Sequence, residues 1–154
     1  MKIMAIDYGD AHTGVAISDR TLTLTGFSTV ITAYRPEAVI EKLLPLISEH
    51  EVSELVLGHP LNMDGTRGPR AEKAEGFAEM LREATSLPVT LWDERRTTVS
   101  AAAILADNDT FGAKRKERLD SVSAAVILES FLNWRAHHPD EEPPEMLRPQ
   151  PAEV

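Results

Sequence analysis

The order in which strand-like and helix-like patterns follow one another constrains this chain more than any other feature. Residues 2–8 form a short, almost continuously apolar run, and residues 13–18 and 21–31 continue with patterns typical of strands. Short connections between these three predict an antiparallel meander. Helical spacing then alternates with short apolar strands at residues 55–58 and 88–92. This order predicts an α/β fold with a mixed five-stranded sheet flanked by helices on both faces.

Four helices are predicted around these strands. The first contains Pro45, whose missing amide donor is expected to kink or split the helix. The second has apolar positions at helical spacing in residues 74–81, the third begins near Thr97 and ends before residue 108, and the fourth covers residues 118–135. Residues 107–116 combine polar residues with a run of cations and have little to bury, so they are expected to be mobile.

Length and tail composition predict the domain organisation. The 154 residues suit a single domain, which we place at residues 1–137. Residues 138–154 are rich in proline and acidic residues and have too little apolar content to pack. The sequence therefore predicts one folded domain followed by a disordered acidic tail.

Composition restricts the classes of function that are open to the chain. The absence of cysteine excludes a disulfide framework, a thiolate zinc site and a cysteine nucleophile. No apolar stretch approaches the roughly 20 residues that cross a bilayer, and residues 1–9 do not resemble a signal sequence. We therefore expect a cytoplasmic protein with no membrane partner, either a monomer or a homodimer.

The charge distribution bears on nucleic acid as a partner. A net charge of -9 argues against binding by bulk electrostatic attraction. The basic residues, however, are clustered: Arg67 with Arg70, Arg95 with Arg96, and Lys114, Arg115 and Lys116 with Arg118. A basic rim around an acidic centre suits an enzyme that holds both metal and phosphate, whereas solvated surface charges are the plain alternative.

Carboxylates stand at three places where predicted elements begin or end. Asp7 ends the first strand, and Asp93 and Glu94 follow the fifth. Asp120 shares a face of the last helix with Ile127. The structural alternatives are an Asp that binds turn amides, a surface ion pair and an acid stabilised by the helix dipole. Because neighbouring strand residues point to opposite faces, only one of Asp93 and Glu94 is expected to reach a shared site.

The three places become more informative when they are considered together, because the two strand ends and the last helix can converge in this fold. Clustered carboxylates repel one another, and hard divalent cations relieve that repulsion. Two ions about 3.5 to 4 Å apart would activate a water on one side of a phosphorus atom and stabilise the leaving oxygen on the other. The expected cofactor is Mg²⁺ or Mn²⁺.

Four segments in this order resemble a known family. They are IDYGDAHTGVAISD at residues 6–19, GHPLNMDGT at residues 58–66, DERRTT at residues 93–98 and RLDSVSAAVILESFL at residues 118–132. Together they resemble the YqgF family, also called RuvX, over roughly residues 1–135. Asp10 and His59 depart from the usual pattern, and Asp10 would either extend the acidic cluster or cap a turn.

The resemblance implies a ribonuclease H-like nuclease that matures the 5′ end of pre-16S ribosomal RNA, with a Holliday junction resolvase as the alternative. It implies that Asp7, Glu94 and Asp120 are the catalytic and metal-binding residues, with Asp93 the less favoured ligand. Arg95 is expected to neutralise phosphate. Lys114, Arg115, Lys116 and Arg118 directly precede Asp120 and are expected to bind substrate, with RNA favoured over DNA.

Two other classes of function stay open. An Asp-x-Gly turn between two strands also occurs in actin-like ATPases and sugar kinases, but those proteins clamp a nucleotide between two such domains, and this chain has room for one. A non-catalytic nucleic-acid-binding module is the other class. It has no use for three clustered carboxylates, which would repel phosphate in the absence of metal.

Overall fold

One mixed sheet organises the fold. The computed structural model describes residues 1–96 and 112–149, and within residues 112–120 it describes the helical backbone without the side chains. The strands in this part of the chain are β1 (Lys2–Asp7), β2 (His12–Ser18), β3 (Thr25–Thr32), β4 (Val52–His59), β5 (Val89–Asp93) and β6 (Met146–Leu147). The helices there are α1 (Pro36–Glu49), α2 (Pro69–Thr85) and α3 (Gly112–His137), and a 3-10 turn covers Glu94–Arg96. The sheet order is β3-β2-β1-β4-β5-β6.

The strand directions combine a meander with parallel crossovers. β1, β2 and β3 pair antiparallel, whereas β1, β4 and β5 are parallel neighbours. Each parallel connection passes through a helix, α1 or α2, as parallel pairing requires. The carboxyl ends of β1, β4 and β5 consequently lie at one edge of the sheet.

Each face of the sheet is covered by a separate apolar core. The first core lies between the sheet and helices α1 and α2, and its largest aromatic residue is Phe77. The second core lies under α3, where Trp92 packs edge-on against Phe131 at a centroid distance of 5.2 Å. Burial on both faces explains why β1 is almost continuously apolar. The predicted α/β class, with helices on both faces of a mixed sheet, is confirmed.

The connection between β2 and β3 differs from the predicted strand pattern. Residues 21–24, with their alternating Thr and Leu, form a turn rather than the start of a strand. The carboxylate of Asp19 accepts hydrogen bonds from the Thr23 amide at 3.1 Å and the Thr21 hydroxyl at 2.9 Å. Leu22 has a φ of 58°. Local side-chain hydrogen bonds here replace the strand pairing that the two-residue repeat predicts.

The helices also differ in extent from those predicted. α1 continues through Pro45 without splitting. α3 begins at Gly112, so residues 112–116 are helical rather than part of a mobile loop. The helix predicted to begin near Thr97 lies outside the described residues. So do residues 107–111 of the segment that was predicted to be mobile.

The C-terminal segment adds a sixth strand to the predicted five. β6 pairs antiparallel with β5, and the Leu91 amide donates to the Glu145 carbonyl at 2.9 Å. Leu147 packs against the first core, and Pro143 is buried. The structure therefore differs from the predicted disordered tail over residues 138–149, because the exposed edge of β5 offers backbone partners that the composition of the tail does not reveal.

Across residues 1–96 and 112–149, no helix combines the length and the apolar character needed to span a bilayer.

Candidate active site

Two of the predicted acids meet at the carboxyl edge of the parallel strands. Asp7 is the last residue of β1, and Glu94 directly follows β5 in the 3-10 turn. β4 lies between these two strands, and its Gly58 is paired with Trp92. Asp7 and Glu94 line one pocket with a volume of about 100 Å³. The structure therefore brings these two carboxylates together, and their catalytic role stays a prediction.

Strand alternation explains why both acids face the α3 side of the sheet. Ile3 and Ala5 pack in the second core, and Asp7 continues their two-residue repeat along β1. Trp92 packs in the same core, and Glu94 lies two residues further on. Asp93 falls between these positions and does not line the pocket. The expectation that only one acid of the adjacent pair reaches the shared site agrees with this geometry.

The surroundings of Glu94 disfavour its negative charge. Burial raises the pKa of the Glu94 carboxyl above its ordinary value, and the charge of Asp93 adds to this effect. Arg70 and His59 act in the opposite direction but do not cancel it. A cation bound at this carboxylate would stabilise its ionised form, so the position suits a metal ligand.

Gly58 is the residue that leaves room for this carboxylate. A Cβ atom on Gly58 would lie 2.8 Å from Cδ1 of Ile127 and 3.3 Å from the carboxyl carbon of Glu94. Ile127 has little room to move, because it is buried in the second core. The absence of a side chain at Gly58 therefore allows Glu94 to lie against β4 beside Asp7.

Asp93 is engaged in a local ion pair instead. Its carboxylate accepts hydrogen bonds from Arg95, from Nη2 at 2.7 Å, from Nε at 3.0 Å and from the backbone amide at 2.9 Å. These bonds lower the pKa of Asp93, with the guanidinium group the largest cause. The ion-pair alternative considered for the two acids thus describes Asp93.

Arg95 also fixes the loop that follows β4. Its Nη1 donates to the Met63 carbonyl at 3.3 Å. Gly65 adopts a φ of 87°, and a Cβ there would lie 3.4 Å from the same Nη1. The loop closes on itself through the Gly65 amide, which donates to the Asn62 carbonyl at 2.8 Å. Arg95, expected to bind phosphate, lies outside the pocket lining and holds this turn against Asp93.

His59 joins the end of β4 to α2. It is only 6% exposed, and its Nε2 lies 2.7 Å from Oε2 of Glu75. The same carboxylate accepts a hydrogen bond from Nε of Arg67 at 2.8 Å, and Arg67 is the largest cause of the lowered pKa of Glu75. His59, one of the departures from the family pattern, thus links the end of β4 to Glu75 of α2.

Two cations on α2 line the same pocket as the acids. Arg70 and Lys73 both belong to its lining, together with Asp10 from the turn after β1. Lys73 Nζ lies 2.6 Å from Oδ1 of Asp10. The charge pattern of the sequence placed Arg70, together with Arg67, in a basic rim around an acidic centre, and it did not select Lys73. Their three-residue spacing near the start of a helix was the available signal.

The direction of α3 places its first half near the pocket. Ile127 lies beside Gly58 near the end of β4, whereas Arg135 binds Glu54 near the beginning of that strand, with Nη1 to Oε1 at 2.6 Å. α3 therefore runs antiparallel to β4. The helical residues before Ile127, which include Asp120, extend toward the edge that carries Asp7 and Glu94.

The predicted substrate-binding cations also belong to this first half. Lys114, Arg115, Lys116 and Arg118 lie within α3. Their side chains, like that of Asp120, are outside the described part of the structure. Their contacts with substrate stay predictions, as does the metal-binding role of Asp120.

The donor chemistry of the pocket fits a hard divalent cation. Among the described side chains, no three acids or histidines form a ready metal cluster. Asp7 and Glu94 supply carboxylate oxygens on one wall, and the backbone of α3 carries Asp120 toward it. Mg²⁺ typically binds one or two protein carboxylates and completes its shell with water and substrate phosphate. The residues that are present are sufficient for such an ion.

Comparison with known families gives one match over most of the chain. The model of the RuvX family, described as a Holliday junction resolvase, matches residues 1–134. A relative from Halothermothrix orenii is 43% identical over 135 residues, covering 88% of this chain and 96% of the relative. A relative from Geobacillus kaustophilus is 44% identical over 135 residues, covering 86% and 98%. The names of both relatives assign them as pre-16S rRNA nucleases.

Solved structures with the same fold include RuvC from Thermus thermophilus. Its complex with a Holliday junction substrate matches with a TM-score of 0.61 and 12% identity, covering 93% of this chain and 99% of that one. A second T. thermophilus RuvC structure matches with a TM-score of 0.55. The likeness shows the ribonuclease H-like fold that the sequence predicts, although with six strands instead of five.

Proposed function

Because the chain belongs to the RuvX family, we propose that it is a nuclease that hydrolyses phosphodiester bonds at the pocket of Asp7 and Glu94. The observation that carries this proposal is the convergence of these two acids at one sheet edge. They come from strands separated by β4, and the N-terminal half of α3 extends toward them. Asp120 is the third member of the proposed site.

The proposed chemistry divides between a bound cation and the protein. Asp7, Glu94 and Asp120 would hold Mg²⁺ or Mn²⁺, which supplies electrostatic stabilisation of the charge that develops on the phosphate oxygens. The protein orients the carboxylates at the end of β1 and on the 3-10 turn after β5. Partial burial of Glu94 strengthens its attraction to a cation.

The proposed substrate is precursor 16S rRNA, because relatives more than 40% identical over nearly their whole length are named for that role. Such a role would place the protein in the cytoplasm. A four-way DNA junction is the second candidate, since the description of the matching family names Holliday junction resolution. A non-catalytic binding module is disfavoured, because adjacent carboxylates without a cation would repel the phosphates of any nucleic acid.

A cleavage assay tests the proposal and separates the two substrates. Purified protein is incubated with an RNA that spans the 5′ end of 16S rRNA and its upstream leader, and separately with a four-way DNA junction. Each reaction is run with Mg²⁺, with Mn²⁺ and with EDTA, and Asp7→Asn serves as the negative control. We expect metal-dependent cutting of the RNA by the wild type alone. Cutting of the junction only would replace the RNA proposal, and no cutting of either would overturn the nuclease.

A further inference from the structure

The wall of the pocket formed by α2 carries positive charge. Arg70 and Lys73 line the same pocket as Asp7 and Glu94, which are provided by the strand ends. A spacing of three residues places both cations on one side of the helix. The buried side chain of Ala74, which also lines the pocket, leaves space between this wall and the sheet.

This wall is held in place by packing rather than by the charges themselves. Ala71, Ala74 and Phe77 of α2 are buried against the sheet. Phe77 stacks on Tyr8, the residue after Asp7, with the ring centroids 4.0 Å apart. This packing fixes the backbone of α2 relative to the end of β1, where Asp7 lies.

Positive charge at this wall would favour the binding of a nucleic-acid backbone in the pocket. The two carboxylates in the pocket repel a phosphate, and a divalent ion offsets that repulsion only at the phosphate that it contacts. Lys and Arg side chains bind the neighbouring backbone phosphates through charge-assisted hydrogen bonds. The pocket therefore offers attraction to a strand that continues beyond the reacting phosphate.

Asp10 already makes such a contact with Lys73. Its carboxylate oxygen lies 2.6 Å from Nζ, and the side chains of Lys73 and Asp10 are 63% and 83% exposed. An exposed ion pair of this kind contributes little to stability and exchanges readily for another anion. The carboxylate takes the position on Lys73 that a phosphate oxygen would occupy.

We propose that Arg70 and Lys73 form a phosphate-binding subsite for the nucleic-acid backbone, and that Asp10 competes with this phosphate for Lys73. The inference rests on the proposed nuclease function, because it assigns the anion to the same substrate. It also identifies Asp10 as a restraint on substrate affinity rather than as an additional metal ligand.

The test measures binding without cleavage. A fluorescein-labelled single-stranded RNA is titrated with each variant in EDTA by fluorescence anisotropy, at salt concentrations from about 50 to about 200 mM. Arg70→Ala and Lys73→Ala should each weaken binding roughly tenfold. Each should reduce the slope of log Kd against log salt by about 0.7, the value for one phosphate contact to a single strand.

Arg20→Ala is the matched control. Arg20 is an exposed cation in the turn after β2, at the edge of the sheet opposite the pocket. It removes the same formal charge, so it should leave both the affinity and the salt slope near those of the wild type. Equal effects of Arg20→Ala and Lys73→Ala would overturn the subsite, and melting curves of all variants exclude loss of the fold.

Competition by Asp10 is tested with a double-mutant cycle. Asp10→Asn should tighten RNA binding about threefold in the wild-type background, equivalent to about 0.7 kcal/mol. It should have no effect when Lys73 is already alanine. An equal gain in both backgrounds would show general charge repulsion and overturn the competition. If wild type binds as expected yet fails to cut with Mg²⁺, the nuclease proposal fails while the phosphate subsite stands.

Discussion

Two neighbouring regions of the pocket edge differ in how they use their charges. The inner wall, formed by Asp7, Gly58 and Glu94, places carboxylates against the α3 side of the sheet, where burial raises the pKa of Glu94. The outer latch is formed by Asp93, Arg95 and the Met63–Gly65 turn. There the carboxylate is neutralised by a guanidinium group, which lowers the pKa of Asp93. The surroundings of these two consecutive residues therefore shift the pKa of Glu94 upward and the pKa of Asp93 downward.

Strand alternation gives the two adjacent acids different roles. Glu94 lines the pocket, whereas Asp93 binds Arg95, which holds the loop after β4. Glu94 continues the repeat of Trp92 toward the second core, and Asp93 points away from it. The latch holds the loop after β4 through Met63, and Gly58 of β4 lies against Glu94. The latch therefore supports the inner wall without contributing to it. The predictions below test this division.

The largest effect is expected from neutralising the inner wall. Asp7→Asn and Glu94→Gln should each reduce metal-dependent cleavage by at least about a hundredfold, because each removes a charged ligand while preserving shape. Asp120→Asn should do the same if α3 completes the site. Initial rates of RNA cleavage at saturating Mg²⁺ provide the measurement. Activity within about threefold of wild type for any one variant would remove that residue from the proposed site.

Asp93→Asn is the matched control for these substitutions. It changes an adjacent acid to its neutral isostere but leaves the pocket lining intact, so its loss of activity should stay below about tenfold. If Asp93→Asn were more harmful than Glu94→Gln, the division between wall and latch would be reversed.

A smaller loss of cleavage is expected from crowding the inner wall. The Cβ of Gly58→Ala would meet both Ile127 and the carboxyl group of Glu94. Such overpacking costs about 1 to 3 kcal/mol of stability and would displace the carboxylate. Cleavage should fall about tenfold or more, and the melting temperature should decrease. A control, Gly76→Ala in α2, meets nothing within 4 Å and should leave cleavage unchanged.

Local periodicity in the sequence predicted part of the division between the inner wall and the latch. The apolar run before Asp7 predicted β1, and alternation after Trp92 predicted that only one of Asp93 and Glu94 would reach the site. The resemblance to the RuvX family, not the alternation, favoured Glu94. The period-two pattern failed at residues 21–24, because the Asp19 carboxylate binds the turn amides instead. It also missed β6, whose two residues gain their strand conformation only from the free edge of β5.

Contacts between residues that are distant in the sequence could not be predicted from local patterns. Helical spacing in α2 identified Phe77 as buried, but it could not show that Arg70 and Lys73 would line the same pocket as Asp7. Likewise, Arg95 in an acidic-basic motif suggested phosphate binding. Its contact with the Met63 carbonyl depends on how a loop 32 positions away folds back.

A moderate effect is expected from breaking the latch. Arg95→Ala should release the Met63–Gly65 turn and reduce kcat by less than about tenfold, the range for groups that support a ligand indirectly. The salt slope of RNA binding should stay near that of the wild type, because Arg95 lies outside the pocket lining and its guanidinium group is held by both Asp93 and the Met63 carbonyl. The double variant with Asp93→Asn should lose little more than either single variant, since both remove one interaction. A slope reduced by about 0.7 would show instead that Arg95 binds phosphate.

The smallest effects, on stability, should have opposite signs in the two regions. Burial raises the folded pKa of Glu94, so the folded chain holds this proton more tightly than the unfolded chain does. As pH rises above the ordinary glutamate value toward neutrality, stability is lost, and Glu94→Gln avoids that loss. In EDTA at about pH 7, Glu94→Gln should therefore melt slightly above wild type, with the difference shrinking as the solution approaches about pH 4.

Asp93 has a lowered pKa, so its contribution to the stability of the fold is present above the ordinary aspartate pKa and disappears on acidification. Asp93→Asn should melt below wild type at neutral pH, and this difference should also shrink in acid. Thermal unfolding followed by circular dichroism measures both, and shifts of the same sign at neutral pH would show that the two acids share one environment after all.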